Sequence, residues 1–159
     1  MSETLLNPND RVVTLGAKAF LGFGLLRPFR RDEKNDFANG GAEALVRARV
    51  GQILGTNGSS EFSQGEVDWN PEFGSLLYLL RHQTNPVAVK EIGKYYVVAA
   101  LQRWEPCVRV TACDIRKDTD PEQTTLVISI TYDIIAANTP ANNVIVSGVQ
   151  QTVGLQLAA

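Results

Sequence analysis

Two stretches of the chain repeat their hydrophobic residues with the spacing of an α-helix. In residues 42–54, apolar side chains recur three and four positions apart, which puts them on one side of a helix. These side chains are Leu45, Val46, Val50, Ile53 and Leu54. We therefore predict an amphipathic helix over this range.

The second helical stretch has the clearest boundaries. Asn85 is a suitable N-cap, and Pro86 occupies the first helical position, where its missing N–H removes no hydrogen bond. Pro106 marks the end, because the residue before a proline avoids helical angles. The residues that form the predicted apolar face of this helix are Ala88, Ile92, Tyr95, Tyr96, Ala99 and Ala100.

After the second helix the hydrophobic period changes to two, which is typical of β-strands. Residues 124–134 alternate cleanly, and the apolar side chains predicted to share one face are Leu126, Ile128, Ile130, Tyr132 and Ile134. Residues 107–115 are rich in valine, and the charged residues 116–123 fit a hairpin loop between the two strands. The chain becomes strand-like again at residues 144–146, and Val153, Leu155 and Leu157 alternate near its end.

These elements predict an α+β fold. It consists of an antiparallel sheet of about three strands in the C-terminal half, packed with two to three helices. The third helix is a short one at residues 75–81, after a turn at residues 70–74. Residues 55–65 contain three glycines, three serines and an asparagine, and are predicted to form the longest loop, which could be mobile.

The first part of the chain has weaker patterns. Residues 1–9 are polar without periodicity, which predicts a mobile or partner-ordered tip. Residues 20–26 are apolar, but Gly22 and Gly24 argue against a regular helix or strand interior. We expect this segment to lie extended against an apolar surface, either the protein's own core or a neighbouring subunit.

Composition limits the classes of partner. With 159 residues, 44% of them hydrophobic, the chain suits one globular domain whose core needs neither metal nor disulfides. A formal net charge of -2 offers no long-range attraction for nucleic acid or an anionic membrane. The acidic start lacks the order of a secretory signal, and no apolar run approaches the ~20 residues that cross a bilayer. We expect cytoplasmic assembly, with no nucleic-acid or membrane partner.

Few residues could carry metal or nucleophilic chemistry. Cys107 and Cys113 fall on one predicted strand, which would separate them by about 20 Å and predicts two thiols, not a disulfide. With the single histidine, His82, they fall short of the usual zinc ligand sets. No nucleophile motif accompanies His82, and the glycine pairs lack the rest of a phosphate-binding loop. We therefore expect no metal and no cofactor.

Glycoside hydrolysis is the one reaction whose residue types are present. It needs two carboxyl groups facing one cleft, one of them kept protonated by an apolar setting. The candidate side chains are Glu61, Glu66, Asp68, Glu72 and Glu105, with Trp69 or Trp104 as an apolar wall. Most proteins of this size offer such groups as ordinary surface carboxylates, and we predict no catalytic residue.

Three stretches of the chain together form a more specific pattern. The first, residues 65–77, has a Gly-Glu pair followed by Pro-x-Phe-Gly and a leucine, at Pro71, Phe73, Gly74 and Leu77. The second is Arg-Trp-Glu-Pro at residues 103–106, and the third is the alternating strand that ends in Ile-Thr-Tyr at residues 130–132. In this order they resemble the baseplate-wedge family of contractile phage tails, which includes the sheath initiators of type VI secretion and extracellular injection particles.

The resemblance implies a baseplate-wedge-like domain at residues 20–147, with an N-terminal extension (1–19) and a C-terminal tail (148–159). It implies a non-enzymatic baseplate component of a tail-like particle that links wedge proteins to the sheath. Sheath subunits would join by β-strand exchange. The implied partners are the sheath protein and wedge proteins, with inner tube or hub proteins as further neighbours. The strand expected to bind the sheath consists of Val144, Ile145, Val146, Ser147, Gly148 and Val149.

The end of the second helix is the expected wedge contact, formed by Trp104, Glu105 and Pro106. A local alternative puts Trp104 in the core and Glu105 in solvent, with Pro106 only ending the helix. The chain departs from the family's Glu-Pro-Arg signature, because Cys107 replaces the arginine and its directed hydrogen bonds. Some relatives are labelled lysozyme-like, so a peptidoglycan hydrolase of a phage tail is the second candidate function. A small binding domain of unrelated function is the third.

Overall fold

The computed structural model describes residues 3–6, 12–15, 21–26, 31–119, 124–136 and 144–157. The chain divides into two compact units, residues 1–48 and residues 49–159. The α+β fold class is confirmed, with helices and a three-stranded antiparallel sheet in the C-terminal half.

The first unit contains two short antiparallel strand pairs. Strand β1 (Glu3–Leu6) pairs with β2 (Val12–Leu15), and β3 (Phe23–Leu25) pairs with β4 (Asn39–Gly41). Residues 1–9 were predicted to form a mobile or partner-ordered tip. Residues 3–6 of that range form β1 and pair with β2, and the other residues of the range lie outside the described residues.

Strand β3 also corrects the interpretation of residues 20–26, since Gly24 lies inside a strand. A Cβ added at Gly24 would lie 3.4 Å from the side chain of Leu45, so glycine allows the backbone to approach closely there. Leu21 is buried, whereas Phe23 and Leu25 are about half exposed. Only part of this apolar segment is therefore covered by the chain itself.

Both long helices form where the sequence predicts them. Helix α1 spans Ala42–Gly55, and the five side chains of its predicted apolar side are all buried. Helix α2 spans Pro86–Trp104, and Asn85 caps it by accepting hydrogen bonds from the backbone N–H groups of Val87 (3.0 Å) and Ala88 (3.4 Å). The helix-boundary predictions from Asn85 and Pro86 are confirmed.

The buried face of α2 differs from the predicted one, which it shares at Ala100. The residues that are buried are Val89, Gly93, Val97, Ala100 and Leu101, whereas Ile92 is partly exposed and Tyr95 is 70% exposed. Gly93 gives the reason, because a Cβ there would lie 2.7 Å from Cδ1 of Ile115 on the sheet. The helix has two apolar stripes, and the stripe containing glycine is the one that can approach β5.

The second unit is built on three antiparallel strands in the order β5–β6–β7. They are β5 (Val108–Thr119), β6 (Thr124–Ile135) and β7 (Val144–Leu157). The five apolar residues predicted for the inner face of β6 are all buried, and α2 packs against β5. The half-buried antiparallel sheet is confirmed, with β6 as its central strand.

Three details of these elements differ from prediction. Cys107 precedes β5, and β5 continues to Thr119, so the first half of the predicted hairpin loop belongs to the strand, while residues 120–123 lie outside the described residues. The strand-like segments near residues 144–146 and 153–157 form one continuous strand, and the predicted boundary after residue 147 falls inside it. The predicted helix at residues 75–81 is a 3-10 helix, Leu77–His82, which packs against α2.

Candidate functional site

Residues 56–76, here called the motif loop, are held by a dense set of hydrogen bonds. Glu66 accepts hydrogen bonds from both the backbone N–H and the side-chain amide of Asn57, each at 3.0 Å. Gly65 has φ +84°, and a Cβ there would lie 2.3 Å from the carbonyl oxygen of Pro71. The Gly-Glu pair of the sequence pattern therefore fixes the fold of this loop.

The Pro-x-Phe-Gly part of the pattern anchors the motif loop to the end of α1. Gly74 has φ +117°, and a Cβ there would lie 2.3 Å from the carbonyl oxygen of Thr56. Ser75 donates its backbone N–H to Thr56 (2.9 Å) and its hydroxyl to the carbonyl of Leu54 (3.0 Å). The carbonyl of Pro71 accepts the N–H of Ser59 at 2.7 Å. These motif positions serve the loop's conformation, since only glycine tolerates this approach.

Two stretches of the sequence pattern meet in space. Phe73 of the motif loop and Trp104 of α2 pack edge to face, with ring centroids 5.3 Å apart. The Arg103 guanidinium lies 4.9 Å from the centre of the Trp104 ring and forms an ion pair with Glu72. We call Glu72, Phe73, Arg103 and Trp104 the aromatic junction. The sequence placed both stretches in the pattern but did not indicate that they touch.

Glu105 directly follows the aromatic junction and is buried, with 5% of its surface exposed. Burial raises the pKa of its carboxyl group, while the Arg49 guanidinium, 3.7 Å away, acts in the opposite direction. Its backbone N–H caps α2 by donating to Leu101, and its carbonyl accepts the N–H of Val108 at the start of β5. The local alternative, which placed Glu105 in solvent, is therefore wrong for this residue.

The other two predicted wedge-contact residues differ in exposure. Trp104 is half-buried against Phe73 and Arg103, and Pro106 is exposed. Pro106 follows the cap residue, and the carbonyl of Cys107 accepts a hydrogen bond from the N–H of Ile135 at 2.8 Å. Residues 104–107 therefore join α2 to the sheet, and Pro106 is the exposed residue of the predicted wedge contact. The contact with wedge proteins stays a prediction.

The predicted sheath-binding residues Val144 to Val149 form the irregular beginning of β7. Their pairing with β6 shifts register twice, between Tyr132 and Ile134 and between Ile134 and Ile135. From Val149 to Leu157 the register is regular. Within the described residues no further strand pairs with β7, which therefore lies at the edge of the sheet.

Asp133 fixes the first of these irregularities. One carboxylate oxygen accepts the backbone N–H of Gly148 at 2.9 Å, and the other accepts a hydrogen bond from Arg109 at 3.0 Å. Gly148 has φ +67°, the geometry of a bulge in which two residues oppose one. The hydrogen bonds from Gly148 and Arg109 lower the pKa of Asp133. The sequence predicted this residue on the solvated face, but glycine within a strand was the available signal for a bulge.

A groove of about 1250 Å³ borders the regular end of β7. Its lining includes Gly154 and Leu155 of β7, Phe62 of the motif loop, and Tyr78 and Leu79 of the 3-10 helix. Phe62 is 84% exposed, so its ring stands beside the groove largely uncovered. The groove was not predicted, because its walls come from segments far apart in the sequence.

Two of the carboxylates considered for hydrolysis have structural contacts. Glu66 and Glu72 hold the motif loop through their contacts with Asn57 and Arg103. Trp69 is 86% exposed and forms no apolar wall. Across residues 31–119 and the other described ranges, no three His, Cys, Asp or Glu side chains cluster as metal ligands. The described helices include none long and apolar enough to span a membrane.

The described part of the chain thus contains a motif loop held by glycines, an aromatic junction and a sheet edge at β7. The family model for the baseplate wedge protein gp25 matches residues 41–139. This range is more than half of the 159 residues, and the chain belongs to that family. No curated protein matches the chain. The match includes the motif loop and the aromatic junction and ends before β7.

Membership of this family confirms the resemblance found in the sequence and makes the protein a structural baseplate component. Proteins of the family are generally structural and interact with other baseplate components. The matched range is narrower than the baseplate-wedge-like domain expected from the sequence, residues 20–147.

Proposed function

We propose that this protein joins the baseplate wedge to the sheath of a contractile injection machine and starts sheath assembly by accepting a strand of a sheath subunit. The observation that supports the proposal most directly is the position of β7 at the sheet edge, with no further described strand beside it. The outer edge of such a strand presents backbone N–H and C=O groups that a strand from another chain can pair with.

The proposal covers the whole of this edge strand, whose first residues, Val144 to Val149, were predicted to bind the sheath. Of these, Val144, Ser147 and Gly148 are exposed, whereas Val149 is buried. Pairing along a strand gives affinity through the backbone, and alternate side chains determine the register. The protein acts in this proposal without catalysis, cofactor or metal, and assembles in the cytoplasm before it enters the particle.

The proposed wedge-binding surface lies at the end of α2. Glu105 is buried although Arg49 is its one ion-pair partner within the described residues, so keeping the carboxylate costs stability in the isolated fold. A buried carboxylate that destabilises the isolated fold, next to exposed Pro106, suits a contact surface. We propose that wedge proteins bind here, through Trp104, Glu105 and Pro106.

Hydrogen exchange in the presence of the sheath protein of the same particle tests the proposal. Amide protons of β7 should exchange more slowly when the purified sheath subunit is added, because they become paired. Amides at the outer edge of β5 serve as the internal control and should not change. Binding without any protection in β7 would overturn strand addition, and absence of binding would overturn the link to the sheath.

Incubation with peptidoglycan separates this proposal from the hydrolase alternative. We expect no release of soluble fragments from the cell-wall polymer. Cleavage that is lost in Glu105→Gln, the one buried glutamate within the described ranges, would show that the protein is an enzyme.

A further inference from the structure

We infer that the sheath strand adds beside residues 152–156 of β7 and places apolar side chains in the groove lined by Phe62, Tyr78, Leu79 and Leu155. This inference rests on the proposed function, which gives the strand's source but not its position. It places the main contact of the sheath strand at residues 152–156 instead of residues 144–149. It also adds contacts between side chains in the groove to the backbone pairing along β7.

The first argument is the regularity of the edge. A strand extends a sheet most readily where the edge strand follows an unbroken one-to-one pairing pattern, because a bulge disrupts the ladder. The part of β7 near Ser147 and Gly148 is bulged, and bulges twist an edge away from pairing. From Thr152 to Gln156 each residue has a single partner on β6, from Ser129 to Thr125. This part of the edge is therefore suited to continued pairing.

The second argument is the groove at the same end of the strand. Gly154, Leu155 and Gln156 belong to its lining, so a strand beside them would run along it. Side chains on one face of a strand alternate with those on the other face. Leu155 lies opposite Leu126, which belongs to the buried face, whereas the neighbouring Gln156 is exposed. The lining also includes Glu66, Arg81 and His82. The fitting partner is therefore a strand whose groove-facing side is apolar beside Phe62, Tyr78, Leu79 and Leu155 and polar beside these three side chains.

Phe62 supplies a contact that the protein does not use internally. Its side chain is 84% exposed in a loop whose backbone is fixed, since the N–H of Phe62 donates to the hydroxyl of Ser60 at 3.1 Å. The hydroxyl of Tyr78 donates to the same Ser60 oxygen at 2.6 Å, which holds that ring at the groove. Aromatic residues, phenylalanine among them, are enriched in the cores of protein interfaces, so the exposed Phe62 ring suits a contact with a partner strand.

Replacement of the two exposed aromatic residues provides a matched test. Phe62→Ala removes the ring that lines the groove, and Trp69→Ala removes an equally exposed ring that does not line it. Neither change should alter the unfolding midpoint by more than about 1 °C, because both rings are exposed. We expect Phe62→Ala to weaken binding of the purified sheath subunit about tenfold or more, and Trp69→Ala to change it less than twofold. Equal effects of the two changes would overturn the groove contact.

Proline substitution tests the position of the added strand. In adjacent residues of an edge strand, one N–H points to β6 and the other outward, and proline at the outward position keeps the fold. Of Thr152→Pro and Val153→Pro, the variant that keeps the wild-type unfolding midpoint should lose sheath binding. The folded member of the pair Ile145→Pro and Val146→Pro should retain it.

The reverse result would place the added strand at residues 144–149 and overturn this inference, while leaving the proposed function intact. Failure of the unmodified protein to bind the sheath subunit would overturn the proposed function instead. If both members of a pair unfold, hydrogen exchange of the wild type decides by whether protection appears at residues 152–156 or at residues 144–148.

Discussion

Replacing Asp133 by alanine should destabilise the protein far more than an ordinary change on the outer face of β6. The carboxylate accepts the backbone N–H of Gly148 and a hydrogen bond from Arg109, at 2.9 and 3.0 Å. The substitution removes both contacts and leaves a bulge in β7 without its side-chain acceptor. The free energy of unfolding is therefore the quantity to measure.

The expected magnitude follows from these two contacts. A hydrogen bond to a charged acceptor contributes about 1.5–3 kcal/mol. The Arg109 side chain is 44% exposed, so solvent screening limits its ion pair to a small share, below about 1 kcal/mol. We expect Asp133→Ala to lower the free energy of unfolding by roughly 2–3 kcal/mol. For a chain of this size that loss lowers the unfolding midpoint by about 4–12 °C.

Thermal and denaturant unfolding, followed by circular dichroism, measure this effect. Asp133→Asn keeps an oxygen for the N–H of Gly148 and loses the ion pair, so it should cost about 1 kcal/mol. Ser129→Ala, an exposed change on the same strand, is the control and should stay within about 0.5 kcal/mol of the wild type. If Asp133→Ala is no worse than Ser129→Ala, the carboxylate does not hold the bulge.

The same contact predicts a pH dependence. The hydrogen bonds lower the pKa of Asp133 in the folded protein below its unfolded value. Its contribution to stability is therefore complete above the unfolded pKa, about 3.9, and is lost as the pH falls through the lower folded pKa. The difference in stability between wild type and Asp133→Ala should stay constant from pH 7 to about pH 5 and shrink below about pH 4.

Three further changes test other parts of the structure. Gly74→Ala should lower the free energy of unfolding in urea by more than about 2 kcal/mol, because the new Cβ would lie 2.3 Å from a backbone oxygen. Gly154→Ala is the control: its Cβ would have open space, and the loss should be under about 1 kcal/mol. Burial raises the pKa of Glu105, so its carboxylate destabilises the folded protein at pH 7. Glu105→Gln should therefore raise the unfolding midpoint at pH 7, and by less below about pH 4.5, where the carboxyl group is protonated in both states. A lower midpoint at pH 7 would contradict this. A double-mutant cycle of Phe73→Leu and Trp104→Leu should show a coupling of about 0.5–1.5 kcal/mol, and additive effects would argue against the ring contact.

The elements of this fold that could be read from the sequence are those with one unambiguous signal. The period of α1, the cap and first proline of α2, and the alternation of β6 each specify local backbone geometry. The motif of residues 65–77 also indicated the family, because its glycines are required by the loop's own backbone. These features depend on residues close together in the chain.

Helix α2 shows what such local patterns leave undecided. It carries two apolar stripes, and hydrophobicity alone favoured the one with Ile92 and Tyr95. The tertiary structure buries the stripe with Gly93, because only a residue without a Cβ admits Ile115 so closely. The choice depends on the shape of a surface formed by a different segment.

The candidate sites also include features that local sequence indicates and features that depend on tertiary packing. The sequence by itself determined the motif loop, the end of α2 and the existence of a strand near the C terminus. Only the tertiary structure decided that Phe73 meets Trp104, that Asp133 holds a bulge at Gly148, and that a groove lies beside the regular end of β7. Each of these depends on long-range pairing, whose register brings together side chains that no local period relates.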